Sequence, residues 1–270
     1  MAEDKESDVT RYDFSVAYDG KSRGGDHSIE VESLAPALLA FGKLIREANA
    51  EFNGKKATAK VLVVSDFEHR CFQVNFETVI GVYHQVKSLL GIDDVKTAKE
   101  VLEWLGLLGK LSGGIAAAKG ISYFEYLKWK RGRKVTEKKP LADKDQSGLV
   151  EVHVEGDNNS VHVHNHIVNL SENPKALRAT RDAFIPLGSE GFDAIHLKKE
   201  GDVLGKIEAP EVDDIIASCN HGIEEAKETE PEVEVTPAWL NVYSPVYDTA
   251  APKWRFRLGR DVIYADISKT

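Results

Sequence analysis

Cysteine, long apolar runs and positive charge are all in short supply in this chain, and each shortage removes a class of protein. Only Cys71 and Cys219 occur in 270 residues, far apart and in no CxxC or Cys/His spacing. A disulfide framework is therefore excluded, and a reducing compartment suits both thiols. No stretch reaches the roughly eighteen uncharged residues of a spanning helix, because Lys110, Lys119 and Glu125 interrupt the most apolar region. The first nine residues are mostly polar and acidic, without the basic start and apolar run of a secretory signal, so a cytoplasmic location is expected. Acidic residues outnumber basic ones 44 to 35, a formal net charge of −9. That balance argues against a globally basic nucleic-acid binder.

Catalytic motifs are missing too. There is no GxSxG elbow, no HExxH, no GxGxxG after a strand and no Cys/His nucleophile pair. Gly109 and Lys110 resemble part of a phosphate loop, but Trp104 stands where the first glycine belongs and Leu111 where Ser or Thr should follow. No catalytic residue is assigned, and no cofactor is implied beyond the divalent metal considered below.

What is present is an alternation of sheet and helix patterns. Tyr12, Phe14, Val16 and Tyr18 alternate with Asp13, Ser15 and Ala17, the period-two signature of a half-buried strand. A loop with Gly24 and Gly25 leads to a short strand at Ile29 and Val31, then Ser33 sits as a helix N-cap. Leu34, Leu38, Phe41, Ile45, Ala48 and Phe52 recur at three- and four-residue steps, and Asn53 with Gly54 closes that helix. Strands over 60–65 and 71–77 supply the sheet this apolar stripe covers. Helical patterns follow at 79–90 and 95–108, then a glycine-rich stretch, then a helix-compatible pattern from 115 to 129. The polar stretch 135–148, with Pro140 and no apolar period, reads as a linker. Beyond it, 151–155 and 161–167 form a hairpin around Gly156, Asp157, Asn158 and Asn159. A short helix opens at Asn173 and Pro174, 194–198 and 203–208 form a second hairpin, and strands cover 254–258 and 262–267.

The fold class expected is α+β: an N-terminal small antiparallel sheet backed by a long helix, a central helical segment and a mostly-β C-terminal region. The divisions are an N-terminal domain over 1–90, a glycine-rich central segment over 91–134, the linker over 135–148 and a C-terminal domain over 149–270.

Three places carry the candidate functional residues. His153, His162 and His164 fall on one face of the predicted hairpin with Glu151, so three imidazoles and a carboxylate could ligate a divalent metal. The ordinary alternative is a polar solvent face. Gly106, Gly109, Gly113 and Gly114 allow close helix approach, as a self-association core or as an amphipathic pair that inserts into a membrane. Lys128, Trp129, Lys130, Arg131, Arg133 and Lys134 could meet an anionic membrane surface, although a basic run after a helix is usually a solvated end that complements the helix dipole.

The Tyr18-Asp19-Gly20 strand end, the long helix, the glycine-rich middle and the Gly156-Asp157-Asn158-Asn159 turn resemble a family of uncharacterised proteins of bacteria, prophages and mobile elements. None of those motifs is catalytic. The resemblance implies, by association, a role in conflict between bacteria and phage. The expectation is a non-enzymatic interaction protein that self-associates through its central helices, with other protein partners open. The alternatives are a membrane-active effector and a metal-dependent enzyme using the histidine hairpin.

Overall fold

The computed structural model describes residues 9–20, 29–64, 72–82, 95–108, 120–141, 148–156, 159–187, 192–229, 241–244, 254–258 and 261–265. They belong to two compact units, Met1–Thr229 and Glu230–Thr270.

The first unit is built on a five-stranded antiparallel sheet in the order β2-β3-β1-β7-β8. Strand β1 spans Val9–Asp19, β2 Ala57–Val64, β3 Phe72–Val82, β7 Ala194–Lys199 and β8 Asp202–Glu208. The alternation read in the sequence sets the faces. Phe14 lies opposite Phe76, and Val16 opposite Val74, on the face that meets helix α1, Val31–Asn53. Phe41, Leu44, Ile45 and Ala48 of α1 are at most 1 % exposed. Each large side chain among them contributes about 1.5–3 kcal/mol by leaving water. Phe14 stacks on Phe76 at 5.3 Å, and Phe41 tilts onto Phe76 at 5.9 Å.

Helix α1 ends where Gly54 takes a positive φ of 57°, as the Asn-Gly pair predicts. Its last turn is tied down by buried amides. Asn49 Nδ2 donates to the Ala57 carbonyl at 3.0 Å, and Asn53 Oδ1 accepts from the Lys96 amide at 2.6 Å. That second bond anchors the segment leading to α2, Ala98–Leu105. A capping box between Thr97 and Glu100 opens α2.

A second sheet, β4-β5-β6, comprises Val135–Pro140, Leu149–Val154 and Ser160–His164. The remaining helices are α3, Tyr123–Lys130; α4, Asn165–Leu170; α5, Pro174–Ala183; and α6, Ala209–Thr229. One contiguous apolar core runs from Phe14 of β1 to Ile223 of α6. The second unit holds its own antiparallel sheet, β11-β10-β9, from Asn241–Ser244, Trp254–Leu258 and Asp261–Ala265.

The α+β class, the N-terminal sheet with its long helix and the C-terminal strands stand as expected. Several details differ. Asn165–Leu170 is a helix where the strand over 161–167 is expected to end, and the 21-residue helix Ala209–Thr229 lies in the part expected to be mostly β. Val31 opens α1 rather than a strand, so Ser33 lies inside the helix instead of capping it. Residues 79–82 continue β3, because Thr78, Ile80 and their neighbours pair with both β1 and β2; the rest of the helix expected at 79–90 lies outside the described residues. The expected linker begins as an edge strand: β4 pairs with β5, and its polar composition reflects an edge with little to bury. The boundary placed there also moves, since β7 and β8 sit beside β1 and complete the N-terminal sheet.

Candidate functional site

Helix α3 is the element on which the candidate site is built. Ser122 and Glu125 cap its start: the Ser122 amide and hydroxyl both donate to Glu125 Oε2, at 3.1 and 3.0 Å. Tyr123, Phe124, Tyr126 and Leu127 are at most 5 % exposed, so its apolar positions are spent inside the unit. Its end is stitched to α6. Ser218 Oγ donates to the Leu127 carbonyl at 2.6 Å and accepts from the Gly132 amide at 2.9 Å.

Between α3, strand β8 and the first turns of α6 lies a groove of two adjoining cavities, about 520 and 630 Å³, which share Glu125, Lys128 and Glu211. The first is lined by Leu108, Phe124, Leu197, Leu204, Ile207 and Ile215 among others. The second is lined by Trp129, Arg131, Arg133, Asn159 and Asp214. The first cavity also holds Lys206 and the shared Lys128–Glu211 pair, so it is the more apolar of the two, and the second is the more charged. A volume of this order suits a binding pocket.

The basic run is arranged differently from a free cationic patch. Lys128 Nζ bonds Glu211 Oε1 at 2.7 Å, and Arg131 Nε meets Asp214 Oδ2 at 3.0 Å. Arg133 folds back, donating to the Lys130 and Trp129 carbonyls at 3.1 and 2.6 Å while its guanidinium lies 5.5 Å from the Trp129 ring. Lys130 is 2 % exposed. Burial lowers its pKa, against the raising pull of Glu225 and Glu172. Only Lys134 of the six expected contact residues has an exposed side chain with no partner among the described residues, while its carbonyl accepts from the Glu155 amide at 3.0 Å. The acidic residues of α6 neutralise what the sequence offered as an anion-binding surface.

The glycines divide between what can and cannot be placed. Gly106, at φ +88°, turns the chain at the end of α2, and its amide donates to the Glu103 and Leu102 carbonyls. A Cβ there would sit 2.7 Å from Ser122 Oγ, so this glycine serves the approach of α2 to α3 within one chain. Gly109, Gly113 and Gly114 lie outside the described residues. Among the described residues no helix is long and apolar enough to cross a membrane.

The histidine hairpin has the register the alternation predicts: Val152 pairs with Val161, Glu151 with His162 and His153 with Ser160. The imidazoles are nevertheless not assembled as ligands. His164 is the residue before α4, and its Nδ1 accepts from the His166 amide at 3.3 Å. Its ring packs 4.5 Å from Trp104 and stacks on His166 at 5.1 Å and 12°. Burial, then the neighbouring His166 and Lys96 charges, push its pKa down to about 4. His166 in turn meets Glu51 Oε1 at 2.9 Å, an acceptor it shares with Asn169. Among the described residues no three His, Cys, Asp or Glu side chains come together as a metal site. The expected metal set of His153, His162 and His164 is therefore corrected to an aromatic packing cluster around His164.

The groove residues outside the basic run and Gly106 were not anticipated from sequence, among them Glu211, Asp214 and Ile215 of α6. The signal was there. Pro210 in the first turn is followed by Val212, Ile215, Cys219 and Ile223 at steps of three, four and four. Comparison of the chain with protein-family models, with curated proteins and with solved structures finds no match.

Proposed function

We propose that this chain is a non-enzymatic binding protein that takes an apolar anchor of a partner protein into the groove between α3, β8 and α6. The observation that carries this reading is a groove that grades from a more apolar cavity to a more charged one, with the Lys128–Glu211 ion pair where the two meet. Apolar anchors supply most of the energy of such contacts, and a charged rim selects among partners and sets their approach. The central segment contributes Gly106, Phe124, Glu125 and Lys128 to this surface, while Tyr123, Tyr126 and Leu127 of α3 are spent inside the unit. The thiol nearest the site, Cys219, is buried and held protonated, its pKa pushed up to about 12 by burial. A place in conflict between bacteria and phage is part of the proposal through the family the motifs resemble.

The test is a photo-crosslinking amino acid at Leu204, a partly exposed groove residue, irradiated in cells expressing the chain. A discrete product is expected, and it should be lost when the rim is reversed by Lys128→Glu. A product of twice the chain mass identifies a second copy, and any other mass a different partner. No discrete product, or one indifferent to Lys128→Glu, would sink the reading.

A further inference from the structure

The edges of the two sheets in the first unit are not alike. Edge strands expose a row of unpaired N–H and C=O groups, and proteins ordinarily blunt them with charge, proline, bulges or cover. Strand β8 has a register shift against β7 and carries Asp202, Lys206 and Glu208. Strand β4 has a register shift against β5, two lysines and a terminal proline. Strand β6 is met by Gly120, which bridges to Val163. Among the described residues, β2 alone is left plain. It pairs with β3 in unbroken register from Ala57 to Val64. Its last three residues, Leu62, Val63 and Val64, are 44 %, 53 % and 43 % exposed.

The register fixes which side each residue serves. Val61 and Val63 lie opposite Thr78 and Phe76, on the α1 side of the sheet; Lys60, Leu62 and Val64 lie on the other. On the α1 side the helix borders the strand closely, since a Cβ on Gly42 would stand 3.9 Å from Val61 Cβ. Around that point α1 exposes Leu39, at 63 %, with Lys43 and Arg46. Lys43, Arg46 and Lys60 are exposed and take part in no ion pair among the described residues. Beside an edge that has no strand partner among the described residues, the α1 side therefore presents apolar surface with Lys43 and Arg46, and the other side presents Leu62 and Val64 with Lys60, where Glu77 opposite Leu62 is held by Arg11 at 2.8 Å.

We propose that the free edge of β2 docks an extended acidic and apolar segment of a partner protein by strand addition. Main-chain bonds to β2 would supply affinity, and alternate side chains the specificity. The added strand has two settings: its carboxylates meet Lys60 while its apolar residues cover Val63 and Leu39, or its carboxylates meet Lys43 with Arg46 while its apolar residues cover Leu62 and Val64. Charge decides against a second copy, because pairing β2 with β2 brings Lys60 of both chains together, and β2 itself carries no carboxylate. This surface lies on other elements than the groove and does not depend on it.

The experiment titrates the full chain with a fluorescent eight-residue peptide of alternating Glu and Val, and follows amide exchange over residues 57–64. Saturable binding with slowed exchange in β2 is expected. Reversal by Arg46→Glu with Lys60→Glu weakens binding at least about tenfold, and a Lys/Val peptide binds that variant better than the parent. The parent also rejects the Lys/Val peptide, which tests the proposal even without the variant. Failure of the Glu/Val peptide to bind overturns the proposal. So does binding indifferent to peptide charge, or a dimer of the chain that protects β2 and excludes the peptide.

Discussion

Acid should unfold this protein partly through a single imidazole. His164 has an ordinary pKa of 6.5 and a folded value of about 4, lowered first by burial and then by His166 and Lys96. In the folded state the ring stays neutral, accepting the His166 amide on Nδ1 and lying against Trp104. The unfolded chain takes up the proton near pH 6.5, so it gains stability relative to the native state as pH falls. The stability due to this group is complete above about pH 6.5 and is lost as pH drops through about 4. At about 1.4 kcal/mol per pKa unit the full shift amounts to about 3 kcal/mol. Partial solvent access to the ring lowers that to about 2 kcal/mol. The check is urea unfolding at about pH 7 and about pH 4.5, for the parent and for His164→Asn, which keeps a capping acceptor but does not titrate. Carboxylates and the other histidines act in both proteins, so the difference isolates His164. The parent should lose about 2 kcal/mol more than the variant between the two conditions. Equal losses would refute the assignment of a buried neutral imidazole at this position.

Three further outcomes follow from the same geometry. Gly148 has φ +88° and faces His164 Nε2 directly, so Gly148→Ala should cost about 2–3 kcal/mol; thermal unfolding measures it, and a His164→Ala background should recover the part due to the clash. Lys130 is 2 % exposed with its pKa lowered by burial, so Lys130→Met should stabilise the fold at neutral pH by about 1–2 kcal/mol; denaturant unfolding that shows a loss would contradict that. Cys219 is fully buried and its pKa is pushed up to about 12. Peptide-level mass spectrometry should therefore find it alkylated by iodoacetamide only after denaturant is added.

The parts of the fold legible in the sequence are those where one face of an element meets the core. The alternation of Tyr12, Phe14, Val16 and Tyr18 and the stripe from Leu34 to Phe52 survive because each is half-buried, and the period of burial is the period of the element. Elements escaped where that condition failed. Strand β4 buries almost nothing, so its residues carry no apolar period and pass for a linker. The end of β3 is paired on both sides, and a run such as Val79, Ile80 and Val82 does not distinguish a strand from a helix by spacing alone. The joining of β7 to β1 is a contact between residues nearly two hundred positions apart. No local pattern specifies it.

For the candidate site the sequence showed a cluster of cations without the carboxylates that face it, and a charge is defined by its partner. Lys128, Trp129, Arg131 and Arg133 do line one groove, as their clustering suggests. Two of them, Lys128 and Arg131, meet carboxylates that stand about eighty residues later, Glu211 and Asp214, on a helix whose first turn lies against α3. The histidines repeat the lesson. Their alternation fixed the face they share, yet His164 turns toward Trp104 because the chain leaves β6 there and enters α4. A metal needs three ligands converging on one point, whereas a strand spaces its side chains evenly along a line. Convergence has to come from a second element, and here the second element brought an indole.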